Sequence, residues 1–338
     1  MRFRKTVATI GVVSALLALA LTGCQSSAPK GGEGGKAQTL TLKAGHAVAE
    51  THPYHLGLVK FAELVNQRTN GQVKIDIYAN GQLGNERDMI EGLQIGTLDL
   101  VVTSTGPVSN FVPEMGVVDL PFLFRDRQHA YKVLDGPIGQ DLLKKFDAKN
   151  IVGLAFWENG FRHLTNSKRP VNTPEDVKGL KIRTMENPVH QETFRVLGAD
   201  PTPMAWSEVF TALQQKTIDG QENPIPIIYN QKIYEAQKYL ALTGHFYSPA
   251  LLLMSKGTFD KLTPDEQQIF REAAVEAAGY ERDQIKKQED EQVDKLKALG
   301  MEITQPDRAA FQEATKSVYQ KFEPQFGKEL IQQILDTN

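Results

Sequence analysis

Thr263-Pro264-Asp265-Glu266 carries every mark of a helix start: a hydroxyl cap, a proline in the first turn and acidic residues beside the positive end of the helix dipole. After it only Gly279 interrupts the run before Gly300. A helix of up to 37 residues would be about 55 Å long at 1.5 Å per residue, which exceeds the diameter of a small domain. Two helices broken at Gly279 and a coiled coil are the alternatives. Heptads are not sustained, which argues against the coiled coil. The favoured reading is one long helix lying across two lobes.

The rest of the chain predicts what those lobes contain. Residues 39–45 alternate apolar and polar, as a half-buried strand does. Leu58, Phe61, Ala62 and Val65 then recur at helical spacing, and Gly71 follows as a stop. Val73, Ile75 and Ile77 alternate again. Asn85 is placed to cap a short helix that Gly96 ends. Residues 98–102 are apolar except for Asp99, as in a buried parallel strand. Residues 151–157, 179–185 and 248–255 read as further strands, and 130–147 and 190–198 as helices. Repeated strand–helix alternation places the chain in the α/β class.

The first 38 residues read as address and tether. Arg2, Arg4 and Lys5 precede an apolar run from Val7 to about Leu21. That run is shorter than the roughly 20 residues of a membrane-spanning helix, and the layout is that of a secretory signal. It ends Leu21-Thr22-Gly23-Cys24, with the chain's single cysteine at the expected cleavage point. This resembles a bacterial lipobox, which implies a signal peptide over 1–23 and lipidation of Cys24. Residues 24–38 are rich in glycine and serine, a flexible tether with a reach of roughly 20 Å. Its GGEGGK segment lacks the flanking strand, helix and Ser/Thr of a phosphate loop.

Charge and motif content exclude several functions. With 38 basic and 41 acidic residues the net charge is −3, and loss of residues 1–23 leaves 35 basic residues and −6. No positive excess is available to condense on nucleic acid. A lone cysteine forms no internal disulfide. HExxH, GxSxG and Walker A motifs are absent. His46, His52 and His55 cluster without an obvious fourth ligand or general base, and read as a loop and helix start rather than a metal site. No cofactor is expected.

The segment GLKIRTMENPVHQETFRVLGADPTPMAWSEVFTALQQKTIDGQENPIP at 179–226 resembles the signature of DctP-type solute-binding proteins of TRAP (tripartite ATP-independent periplasmic) transporters. FAELVNQRTNGQVKIDIYANGQLGNERDMIEGLQIGTLDL at 61–100, VVDLPFLFRD at 117–126 and NGFRHLTNS at 159–167 match in the family's order. The resemblance covers about residues 39–335. It implies a two-lobed periplasmic-binding-protein (Venus-flytrap) fold. Lobe I would be 39–160 plus about 249–288, and lobe II 161–248 plus about 289–338. It further implies a monomer that captures an organic acid and passes it to small and large membrane subunits.

Motif by motif, the resemblance makes Arg183 the clamp for a ligand carboxylate and Arg162 a second arginine. Both suit that task, because a guanidinium is planar, permanently charged and able to make paired hydrogen bonds. Asn223 matches an asparagine beside the carboxylate, and Trp206 an aromatic wall. Glu186 follows Arg183 by three residues, next to the clamp. Glu86 and Ser104 fall where other members touch the distal part of the ligand, and His46 ends the first strand where it could face the cleft. Glutamates near the arginines favour a ligand with hydroxyl donors, so a uronate or related sugar acid is expected ahead of a C4-dicarboxylate. A ligand sensor feeding a receptor kinase would use the same pocket. A lipid-anchored sugar-acid enzyme would need catalytic motifs the chain lacks.

Overall fold

The computed structural model describes residues 39–338; Cys24 and the signal and tether segments lie outside them. In chain order the elements are β1 (Leu40–Gly45), α1 (Pro53–Arg68), β2 (Val73–Tyr78), α2 (Glu86–Ile95), β3 (Leu100–Ser104), α3 (Thr105–Val108), α4 (Arg127–Asp135) and α5 (Pro137–Lys144). There follow β4 (Ile151–Asn166), β5 (Lys181–Thr184), α6 (Pro188–Val196), β6 (Asp200–Pro203), α7 (Trp206–Gln214), β7 (Gly220–Asn223), α8 (Ile225–Asn230) and β8 (Tyr239–Ser255). The chain ends with α9 (Lys256–Phe259), α10 (Pro264–Ala298), β9 (Glu302–Thr304), α11 (Arg308–Ala314), α12 (Lys316–Phe326) and α13 (Lys328–Asp336).

One sheet, ordered β2-β1-β3-β8-β4-β7-β5-β6, runs through both lobes, with β9 added beside β8. Its two long members, β4 and β8, are antiparallel and carry the connection. The final third of β8 pairs with β3 in the first lobe, and the end of β4 pairs with β7 in the second. Between these halves the β4–β8 register slips at Glu158/Gly160. Gly160 there has φ +116°, a backbone conformation open to glycine. Such a bulge bends a strand and leaves a residue unpaired.

The long helix forms without a break at Gly279. Thr263 and Glu266 exchange both bonds of a capping box at its start, so the local signals and the element agree. Phe270, Ala273, Ala274, Ala277 and Ala278 recur at three- and four-residue intervals and bury against α1 and β4. Near its end Leu296 enters a different cluster, with Val209, Leu213 and Ile228 of α7 and α8. The helix therefore serves the cores of both lobes. At 35 residues it is about 52 Å long.

Three expectations shift. The helix read over 130–147 is two, α4 and α5, because Pro137 supplies no N–H and Gly136 before it is extended (φ −83°, ψ −171°). The strand read over 151–157 continues to Asn166, and that read over 248–255 begins at Tyr239. Both extensions are buried on both faces, so they show no clean alternation.

Candidate functional site

Strand order β4-β7-β5 sets three candidate residues side by side: Arg162 on β4, Asn223 ending β7 and Arg183 near the end of β5. This is the carboxyl edge of the second lobe's parallel strands, where α/β folds place ligands. From the first lobe, Glu86 opens α2 just after its cap Asn85, and Ser104 ends β3. Trp206 opens α7. These six residues line one cavity between the lobes, together with Tyr54 and Asn159.

The two arginines differ in their surroundings. Arg162 is fully buried and bound to an equally buried carboxylate, Glu222. Its Nε donates to Glu222 Oε2. Its Nη2 donates to Glu222 Oε1 at 2.9 Å, to the Glu222 carbonyl at 2.6 Å and to Asn223 Oδ1 at 3.0 Å. Burial alone would raise the Glu222 carboxyl, but Arg162 and a bond from His245 hold it well below the usual carboxylate range. The remaining nitrogen of Arg162, Nη1, is buried with no protein partner.

Arg183 has no such counter-ion. Its Nε and Nη2 both donate to the Met204 carbonyl, at 3.0 and 2.7 Å. Its guanidinium carbon lies 5.6 Å from the Trp206 ring centre, a cation–π contact. Among the described residues no carboxylate comes within 4.0 Å of its nitrogens. Burial pushes its pKa down to about 10, with Glu222 opposing the shift and Arg162 adding to it. A buried cation without a partner is costly, and an anion beside it removes that cost.

The first lobe presents acceptors. Glu86 Oε1 receives three bonds of 2.9 Å, from the Thr103 hydroxyl and from the backbone N–H and hydroxyl of Ser104. That set anchors one carboxylate oxygen and leaves Oε2 for another donor. Tyr54 Oη and Asn159 Oδ1 are buried without protein partners. The free volume enclosed is about 20 Å³. That is room for little more than one water, at the 10–15 Å³ or so each needs. Anything larger enters only if the lobes part.

Glu186 and His46 stand apart from this cavity. Glu186 lines a smaller neighbouring space that shares Glu86, Arg183 and Trp206 with the first. His46 is buried, and its Nε2 lies 3.0 Å from His55 Nδ1. It is not among the cavity's lining residues. His52 caps α1 by accepting the Tyr54 N–H, and His55 lies in the first turn of that helix. Tyr54, Asn159 and Glu222 escape the sequence reading. Glu222 adjoins Asn223 and Asn159 opens NGFR, so both had a positional signal; Tyr54, on the first turn of a helix, had none.

A model of the bacterial extracellular solute-binding protein family 7, DctP, matches residues 44–325. A solute-binding protein of Verminephrobacter eiseniae is 49% identical over 88% of this chain and 89% of its own. The crystal structure of a TRAP periplasmic solute-binding protein from Bordetella bronchispeptica, with density interpreted as pantoate, is 50% identical. It superposes with a TM-score of 0.88 over 89% of this chain and all of that one. Another, from Polaromonas and bound to D-erythronate, is 47% identical, with a TM-score of 0.87 over 88% of this chain and 99% of that one. The chain belongs to the DctP family of extracytoplasmic solute-binding proteins, the non-catalytic capture subunits of TRAP transporters.

Proposed function

We propose that the protein captures a hydroxylated organic acid, a sugar acid ahead of a C4-dicarboxylate, with Arg183 as the principal carboxylate ligand. The observation that carries this reading is the buried charge of Arg183, without a counter-ion, together with the free Nη1 of Arg162. A carboxylate placed between them would complete both, with Asn223 alongside. Glu86 supports a hydroxylated far end. It is acceptor-only when ionised, so it welcomes hydroxyl donors and repels a second carboxylate. Pantoate and D-erythronate, named for two similar proteins, are both hydroxylated monocarboxylates. Glu186 is a second acceptor at the neighbouring space.

Capture would proceed by closure about the β4–β8 crossover. We place the lobe boundaries at 160/161 and 248/249, at the middle of three slips in the β4–β8 register, where Gly160 adopts its positive φ. The first lobe then also takes α10 to about residue 288, and the second the remainder. Closing strengthens each charge-assisted bond by excluding water. With a mature net charge of −6, attraction of an anion is local to the arginines. The loaded protein would dock on small and large membrane subunits driven by an ion gradient, tethered meanwhile by lipidated Cys24.

Thermal-shift screening of residues 25–338 against aldonates, uronates and C4-dicarboxylates tests the ligand class, since a ligand of the folded state raises the melting point by mass action. Calorimetry on Arg183→Ala tests the clamp. Affinity for the best acid falls about a hundredfold, some 2.7 kcal/mol. Unchanged affinity removes Arg183 from the site, and a shift with succinate or malate alone replaces the sugar acid.

A further inference from the structure

The inner cavity is not the larger space between the lobes. Beyond Ala47 and Trp206, which wall both, lies an outer cleft with a free volume of about 700 Å³. One side is the segment from Asn80 to Asp88, and the other is α7 and the turn at 231–235. The inner space holds little more than a water, whereas the outer one has the volume of a typical small-molecule site.

Its lining has the chemistry of carbohydrate recognition. Trp206 and Phe210 are four residues apart on α7 and so share a helix face. Both are half-buried and offer flat apolar surface that suits the C–H faces of a sugar ring. Gln231 lines the same cleft, and its side-chain Nε2 is buried with no protein partner. A buried amide donor left unmade is unfavourable, and a sugar hydroxyl oxygen would satisfy it. Lys232 and Glu235 line the same turn at the rim. Asn80 and Lys232, on opposite sides of the cleft, both hold positive φ (54° and 55°), the kind of backbone strain that collects at functional sites.

We propose that this outer cleft is a second subsite for an uncharged glycosyl unit joined to the acid held at the arginines, so that the protein accepts disaccharide acids as well as single sugar acids. The proposal rests on the reading of the inner cavity as a sugar-acid site. The acid end would lie at Arg183, and the chain would pass between Ala47 and Trp206. The second ring would stack on Phe210 within reach of Gln231.

Calorimetry with D-gluconate and with its glycosylated forms lactobionate and maltobionate tests this. At least one of the two glycosylated acids binds tenfold or more tighter than gluconate. Phe210→Ala and Gln231→Ala each remove most of that gain and leave gluconate affinity within twofold, a pattern that a general folding defect would not produce. Gluconate binding with both disaccharide acids tenfold weaker overturns the subsite alone. So does an equal loss for both ligand lengths in the two variants. Failure of all three acids overturns the sugar-acid reading itself, and the subsite with it.

Discussion

Arg162 sits against Glu222 with both side chains fully buried, whereas Arg183 stands against a carbonyl and an aromatic ring. The two therefore respond differently to loss of charge. Arg162→Met leaves the buried Glu222 carboxylate with one side-chain bond, to His245, and removal of one partner from a buried pair costs about 3–5 kcal/mol. Arg183→Met removes a charge that lacks a counter-ion, so its stability stays near that of the parent. Urea denaturation of the two variants without ligand checks this, and equal losses would show that Arg183 has a partner after all. In the sequence both residues read alike, as arginines in family motifs. What separates them is Glu222, whose reach to Arg162 depends on β7 lying between β4 and β5, an adjacency that chain position does not reveal. His46 lies outside the inner cavity for a related reason. The end of a strand is a cleft position only if the side chain turns outward, and this one turns toward His55.

Among the elements, α10 was legible because its start is written locally in four residues and its length in the scarcity of breakers. Gly279 left the one ambiguity. It is exposed, and a Cβ there would meet nothing within 4 Å. The helix runs through it on the strength of the flanking alanines buried against α1 and the sheet. Gly279→Ala accordingly gains about 0.8–1 kcal/mol of helix propensity, a rise of about 2 °C in melting temperature for a chain of this size. Differential scanning calorimetry decides it, and a drop would mean that the helix needs its glycine as a flexing point. The long strands were half-legible. The run 249–254 is continuously apolar and announces burial, but residues 239–247 mix Thr243, Gly244 and His245 into the strand. Those residues serve bonds within the fold: His163 Nδ1 accepts the Gly244 N–H, and Thr243 pairs with His245. Polar residues satisfied inside a sheet look like a loop when read singly.

The whole molecule closes around a buried acid at its crossover. Glu281, in the middle of α10, accepts the backbone N–H of Glu158 at 3.0 Å beside the β4 bulge, and its other oxygen has no protein partner. Burial, and then the Glu158 carboxylate nearby, raise its carboxyl well above the usual range, with the bond from the Glu158 N–H and then Arg282 only partly opposing. The unfolded chain ionises this carboxyl above about 4.5, while the folded chain keeps the proton. Stability is therefore present in full below 4.5 and is lost as pH rises toward the folded value. Buried histidines pull the other way. Burial lowers His46, His52 and His163 to about 3, so the unfolded state gains protons first and stability falls as pH drops from 6.5. A pH curve of the parent alone mixes these trends. Glu281→Gln separates them, because its amide oxygen can accept the same N–H without titrating and the histidines are common to both proteins. The stability of the variant minus that of the parent then climbs by up to about 1.4 kcal/mol per pH unit from pH 5 upward, levelling where Glu281 finally ionises in the folded state. Denaturant titrations of the pair at pH 5, 6, 7 and 8 measure that difference. A difference that stays flat would place an ionised Glu281 inside the crossover, and the protonated acid would have to be abandoned as part of how α1, α10 and β4 meet.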